Sequence, residues 1–354
     1  MSKIYINGLG CISTQKTFDT LFLEEAVVNE ADTVFPIHQP VYKDFISPVA
    51  SRRMAKGVKN GIVASTLALR EAQLETVDAI ITGTGMGCIE DSEKFLKAIL
   101  DNNEEFLTPT SFIQSTHNTV GGQIALGLQC KAYNLTYVNG SVSFESALFD
   151  AKMMIEEGEA SSILVGGIDE TSDYTMSLFK LAGFVKNENQ GVHSFLESTS
   201  KGAVLGEGAT FFVVENEVKE TTIASVLDIE ILNKLEIDEV EKKVVTFLAS
   251  NNLKLTDIDA VVLGYNGDVD SDLYYRKLSQ VTFKNTPQVY YKHLSGEFDT
   301  ASAFGLWVGT KIIQTQNIPA IVKINTINNE VYKTILLYNQ RNGIDHSFTL
   351  ISSC

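Results

Sequence analysis

The chain has no hydrophobic run long enough to cross a bilayer: no window approaches the roughly 18 apolar residues that a spanning helix needs. No apolar stretch of signal length precedes Gly8, so the expected location is the cytoplasm. Positive charge is scarce. Forty-four acidic residues against 28 basic ones give a formal charge of -16, which opposes a phosphate-binding surface and argues against nucleic acid as a partner. An acidic partner would need a local basic patch. Arg52, Arg53, Lys56 and Lys59 are spaced to fall mostly on one side of a helix, and read either as such a patch or as a solvated helix face. The four cysteines (Cys11, Cys88, Cys130, Cys354) are scattered with no C-x-x-C pairing, so neither a metal site nor a disulfide framework is expected. Gly/Ser-rich and charge-run linkers are missing too, which leaves no place for long disordered regions.

What is present is a composition of ordinary globular type, 44% hydrophobic and 20% charged, over 354 residues. That length allows two layered units, each with its own buried sheet. Short apolar runs bounded by turn residues alternate with longer helical patterns, the signature of an α/β architecture. Strands are predicted over 3–7, 79–82, 133–138, 163–165 and 210–214, and helices over 54–73, 91–100 and 143–157. The last helix is the clearest, with Phe144, Ala147, Leu148, Ala151 and Ile155 recurring at helical spacing. A second series follows, with strands over 223–231, 260–263, 288–290, 320–324, 335–338 and 348–351 and helices over 240–249 and 301–313.

The two series share local sequence. Val77-Asp78-Ala79-Ile80-Ile81-Thr82-Gly83 is echoed by Ile258-Asp259-Ala260-Val261-Val262-Leu263-Gly264, and in both series a helix carrying a lysine near its end (Lys152, Lys311) leads into an apolar run. An internal duplication accounts for both echoes, with an N-terminal half over 1–217 and a C-terminal half over 218–354.

The segment from Tyr133 to Glu157 combines an apolar strand, a sharp Asn139-Gly140 turn and Ser141 at the mouth of an amphipathic helix. Such a turn presents a side chain beside free backbone N–H groups, which suits a nucleophile whose acyl product needs an oxyanion hole. The plainer reading is that Ser141 or Ser143 is a helix N-cap.

Further motifs accompany this turn: Gly8-Leu9-Gly10, Ser51-Arg52-Arg53-Met54, Gly121-Gly122-Gln123-Ile124-Ala125-Leu126, Val165-Gly166-Gly167-Ile168-Asp169-Glu170 and Gly206-Glu207-Gly208-Ala209. In order and spacing the set resembles the β-ketoacyl synthases of the thiolase superfamily, well over residues 1–215 and more faintly beyond. The resemblance implies two similar βαβαβ halves in an α/β/α/β/α sandwich. It also implies a cysteine at the strand-to-helix turn that accepts an acyl chain from acyl carrier protein, two histidines that stabilise an enolate, and no cofactor.

Carried onto this sequence, the cysteine position is Ser141, the first histidine position falls at or near Gly264, and the second falls at Glu297. Lys292 and Gly296 of the Lys-x-x-x-Gly-His signature are retained, and a C-terminal Gly-Phe-Gly-Gly gate is replaced near Tyr338-Asn339-Gln340-Arg341-Asn342-Gly343. A hydroxyl needs a base to become a nucleophile near pH 7, whereas a thiol at a helix N-terminus ionises readily. His117 and His293 are the available candidates for that base.

The implied picture is a subunit similar to a chain length factor, of the kind that serves polyene pigments such as aryl polyenes or flexirubin-like lipids. Its partner would be an active ketosynthase subunit in a heterodimer, or a second copy of itself, with acyl carrier protein reached through the partner. Phe112, Ile113, Thr116, His117 and Asn118 are the candidate interface or tunnel residues, with ordinary core and capping roles as the other reading. The competing expectation is an acyltransferase or thioesterase-like enzyme that uses Ser141 as acyl acceptor.

Overall fold

Along the buried strands, neighbouring side chains enter opposite layers, as a period of two requires. In β2 (Ala79–Gly83), Ala79 and Ile81 enter a central core and Ile80 an outer one; in β4 (Ser162–Asp169), Ile163 and Val165 face the centre and Leu164 the outside. β9 (Thr334–Arg341) does the same in the other half, with Ile335 and Leu337 inward and Leu336 and Tyr338 outward. Burial on both faces is why these strands read as continuous apolar runs. The computed structural model describes residues 3–30, 32–187 and 195–354.

The other strands are β1 (Ile4–Ile12), β3 (Tyr133–Tyr137), β5 (Gly208–Glu215), β6 (Ala224–Asn233), β7 (Ala260–Leu263), β8 (Gln288–Tyr290) and β10 (Asp345–Ser352). The helices of the first half are α1 (Pro48–Ser51), α2 (Lys56–Ala72), α3 (Ile89–Asp101), α4 (Pro109–Ser115), α5 (Thr119–Leu128), α6 (Ser143–Glu156) and α7 (Asp173–Leu181). Those of the second are α8 (Val240–Ser250), α9 (Leu273–Lys277), α10 (Lys292–Ser295) and α11 (Ala301–Thr315).

The strands form one sheet in the order β3-β2-β4-β5-β1-β6-β10-β9-β7-β8. The order reads as the same five-strand pattern met twice from opposite ends: 3-2-4-5-1 and 8-7-9-10-6. In each half the outer three strands are parallel and the inner two antiparallel. The halves join where Ile4–Ile6 pairs antiparallel with Ala224–Val226.

α6 and α11 lie in the central layer, α2 and α5 cover one outer face, and α8 and α9 cover the other. This is the α/β/α/β/α sandwich of two βαβαβ halves that the sequence implies. The Gly8-Leu9-Gly10 motif has a packing reason. A Cβ at Gly8 would sit 2.2 Å from the Ala68 carbonyl oxygen and one at Gly10 2.1 Å from that of Ala64, so glycine lets α2 lie directly on β1.

Two expectations need correction. The apolar run over 320–324 is not a strand: after Pro319 it forms a 3-10 turn, Ala320–Val322, and touches the sheet through a single Val289–Lys323 bridge. Nor do the four basic residues share a helix face. Arg52 and Arg53 lie in the turn between α1 and α2, Lys56 is bound to Glu207 at 2.7 Å, and Lys59 lies over the Tyr42 ring.

Candidate functional site

At the end of β3 the chain reverses through Gly140 (φ 53°) and makes a 3-10 turn, Gly140–Val142, that feeds α6. The two serines of this turn have different work. The Ser143 hydroxyl accepts from the Asn139 N–H at 2.8 Å and donates to the Gly140 carbonyl at 2.7 Å, fastening the turn. Ser141, buried, donates its hydroxyl to Asp345 Oδ2 at 2.8 Å.

Asp345 opens β10, and Arg341, which closes β9, is ion-paired with Asp299. Between them Asn342 and Gly343 are both left-handed (φ 54° and 65°), the reversal that an Asn-Gly pair favours between antiparallel strands. Where the resemblance implies a gate loop, the chain therefore has a tight hairpin. Burial pushes the Asp299 carboxyl up to about 6, with Asp169, Glu297 and Asp345 adding to the shift and Arg341 opposing it.

The signature lysine sits in a buried polar network. Lys292 Nζ donates to Glu297 Oε2 and to Asn339 Oδ1, each at 2.8 Å, and Asn266 Nδ2 donates to the same Glu297 oxygen at 2.8 Å. A buried ammonium is tolerable because a carboxylate and an amide oxygen replace its water. The same network fills the space beside Gly264. A Cβ there would fall 2.6 Å from Asn339 Oδ1 and 2.7 Å from the Tyr275 hydroxyl, so this backbone has no room for a side chain.

The Ser141 hydroxyl goes to Asp345, and both candidate histidines have other neighbours. His293 is buried in α10, its Nε2 lies 2.9 Å from the Ile321 carbonyl oxygen, and its ring stacks on Tyr290 with centroids 3.7 Å apart. Burial pushes its pKa down to about 4. His117 is exposed, in the link between α4 and α5, with its ring against Gly87. Beside it, Thr116 and Thr119 share a hydroxyl contact of 2.7 Å, Phe112 and Ile113 are exposed, and Asn118 precedes α5 without capping it through its side chain.

The carboxylates of the glycine motifs hold loops together. Asp169 accepts from Thr84, Gly85 and Met86 with one oxygen and from the Thr300 N–H and hydroxyl with the other. Glu207 accepts from Ile37 and Thr171, and Glu170 from Gly57 and Glu90; burial pushes the Glu170 carboxyl up to about 7. Sequence reading missed Asp345 and Asp299 as site residues; it named Asn339 and Arg341 only as part of the stretch where the gate is replaced, without their contacts to Lys292 and Asp299.

Two internal cavities border the residues of this network, and both are small. A cavity of about 10 Å³ touches Glu145, Tyr291, Ser302 and Asn339, and one of about 30 Å³ touches Glu297, Asp299 and Arg341. A single water needs about 10–15 Å³, so both have room for water and not for an acyl thioester. Glu145 narrows the first: it is buried, one oxygen accepts from Ser347 at 2.7 Å, and burial raises its pKa. A far larger groove, about 1160 Å³, runs between the 32–39 segment, α3 and the start of α7, and its lining includes none of Ser141, Lys292 and Glu297. Among the described residues no His, Cys, Asp and Glu group is arranged to hold a metal ion, and no helix is long and apolar enough to cross a membrane.

Residues 40–220 match the family described as Beta-ketoacyl synthase, N-terminal domain. Among curated proteins, 3-oxoacyl-(acyl-carrier-protein) synthase 2 of Staphylococcus aureus (strain N315) is 24% identical over 242 residues, 60% of this chain and 58% of that protein. The Synechocystis protein of the same name is 22% identical over 185 residues, 48% and 44% of the respective chains. The chain thus spans less than three fifths of the length of these curated relatives. Among solved structures, the ishigamide ketosynthase/chain length factor superposes with a TM-score of 0.79 at 17% identity, covering 100% of this chain and 99% of that one. The ketosynthase ApeO in complex with its chain length factor ApeC, from Xenorhabdus doucetiae, gives 0.74 at 12% identity, covering 100% and 98%. At such identities the likeness speaks for the fold, which is that of these thiolase-type proteins. With the family match spanning just over half of its length, the chain belongs to the β-ketoacyl synthase family.

Proposed function

We propose that this chain is a non-condensing subunit, similar to a chain length factor, that pairs with an active ketosynthase in fatty-acid or polyketide-type chain building, with polyene pigments as the product class. The observation that carries the reading is Glu297, fixed by Lys292 at 2.8 Å where the family resemblance implies an imidazole. A carboxylate there repels a developing enolate. Losing even one oxyanion donor costs about 3–4 kcal/mol of transition-state stabilisation. Gly264 supplies no second donor, since the place its side chain would take is filled by Asn339 and Tyr275.

Pairing is supported by β3. This edge strand, Tyr-Asn-Leu-Thr-Tyr, carries no charge, Tyr133 and Leu135 on it are exposed, and Val138 beside it and Phe149 and Met153 on α6 are exposed as well. An uncharged open edge beside apolar side chains is a surface that proteins normally cover. With a formal charge of -16 on each copy, self-pairing meets a repulsion that a less acidic partner avoids.

An acyltransferase or thioesterase working through Ser141 is less well supported. Its hydroxyl donates to the Asp345 carboxylate, and a carboxylate is a weaker base for a serine proton than the imidazole such an enzyme would use. The test is co-expression with a ketosynthase from the same gene neighbourhood, followed by size-exclusion chromatography with light scattering. A one-to-one complex is expected; separate elution of the two chains at micromolar concentration counts against the assignment.

A further inference from the structure

The β9–β10 hairpin is tied to its neighbours by the Lys234 N–H to Ile344 carbonyl bond and by Gln340, which bonds Ser271 and Tyr275, and its two shoulders are fastened by side chains. On one side Arg341 is paired with Asp299; on the other Asp345 holds the Ser141 hydroxyl at 2.8 Å. Asp299 stands on a firm base. Its carboxyl packs so closely on Gly85 that a Cβ there would lie 1.8 Å from Oδ2, and the adjacent Thr300 is bound through both N–H and hydroxyl to Asp169, each at 2.9 Å. Asp169 in turn takes the N–H groups of Gly85 and Met86. The aspartate is thus held by the body of the protein, and the arginine arrives from the hairpin.

Charge explains why an arginine is needed. The Arg341 guanidinium lies within the field of Asp299, Glu297, Asp169 and Asp345. The acid that Lys292 meets directly is Glu297. With Arg341 removed, the acids Asp169, Glu297 and Asp299 remain together on the wall of one small cavity, and like charges so close repel. Arg341 also forms part of the wall of the cavity of about 30 Å³ whose other lining includes Met86, Met176, Glu297 and Phe298.

We propose that Arg341 is an internal latch: its guanidinium fills a carboxylate-walled recess and so holds the Arg341 corner of the hairpin down on this cavity, and the recess takes a free guanidinium ion when the side chain is removed. The latch stands independently of the partner assignment, since it concerns one chain and one hairpin.

Hydrogen exchange read by mass spectrometry on the purified chain tests it. In Arg341→Ala, amides over 139–143 and 340–347 should exchange on the order of tenfold faster, while those of α8 keep their wild-type rate. Millimolar methylguanidinium should return the hairpin towards the wild-type rate, and neutral N-methylurea, of similar shape, should not. Unchanged exchange in the variant overturns the latch, as does equal rescue by both compounds. If Arg341→Ala fails to accumulate as folded protein, Asp299→Asn carries the test. It removes the firm half of the pair, so faster hairpin exchange supports the latch and wild-type exchange overturns it.

Discussion

Ser141 and Asp345, 204 residues apart in the chain, meet through a hydroxyl-to-carboxylate hydrogen bond of 2.8 Å. The contact ties the turn before α6 in the first half to the first residue of β10 in the second. Hydrogen bonds to a charged acceptor are worth more than neutral ones, so Ser141→Ala should lower stability by about 1–2 kcal/mol. Urea unfolding checks this, and the slope of the transition should be unchanged.

Lys292 and Glu297 are both buried, and each is the other's direct ion partner. Removing one member strands a charge, and Lys292→Met should cost about 3–5 kcal/mol. The double variant Lys292→Met/Glu297→Gln should cost less than the two single losses combined, because no uncompensated charge remains. Additive losses would show that the pair is not coupled.

Gly264→His should not restore a histidine-assisted site. The new Cβ meets Asn339 Oδ1 at 2.6 Å and the Tyr275 hydroxyl at 2.7 Å, both held in place by buried partners. Overpacking of this kind costs about 1–3 kcal/mol, and thermal unfolding should show the loss. Wild-type stability in the variant would mean that the network yields to a side chain there.

His293 gives the protein a defined sensitivity to acid. Its burial holds the folded-state pKa near 4, below the ordinary value of 6.5. Between those values the unfolded chain binds the proton more readily, so this group's contribution falls as pH drops from about 6.5 to about 4, by roughly 3 kcal/mol in all. Glu170, and Asp272, a buried carboxylate that accepts from the Asn266 and Gly267 N–H groups, act the other way. Burial pushes both carboxyls up to about 7, so the folded state holds their protons and gains stability as pH falls below that value. The His293 share is isolated by comparison with His293→Phe, whose aromatic ring can keep the stack on Tyr290. The wild-type advantage over this variant should shrink steadily between pH 7 and pH 4, and a constant difference contradicts the assignment.

Much of the sandwich was legible because doubly buried strands are short apolar runs closed by turn residues, as at 79–82, 163–165 and 335–338. The duplication was legible for the same reason: two halves with one packing problem repeat the Asp-to-Gly strand that begins at Asp78 and at Asp259. α5 was not read as a helix because Gly121, Gly122 and Gly127 lower its propensity, and its buried face of Val120 and Ile124 decides the matter only in the folded chain. The 320–324 run shows the opposite failure. An apolar stretch of strand length became a 3-10 turn with a single bridge to β8, and the local signal against a strand was Pro319 at its head.

Of the site, residue types and positions came through the family motifs, while the contacts did not. Nothing near Ser141 in sequence points to Asp345, and nothing near Lys292 points to Asn339, because both partners arrive from the closing strands of the second half.

The proposed function rests on a hydroxyl at Ser141 and a lysine-bound carboxylate at Glu297 where condensation would use a thiol and an imidazole. It is tested most directly by giving the purified chain acyl- and malonyl-loaded carrier protein and measuring carbon dioxide release together with 3-oxoacyl product. Release should be no faster than with carrier proteins alone, in the wild type and equally in Ser141→Cys, since a thiol by itself brings no enolate donor. Sustained turnover to the 3-oxoacyl product by the wild-type chain on its own would contradict it.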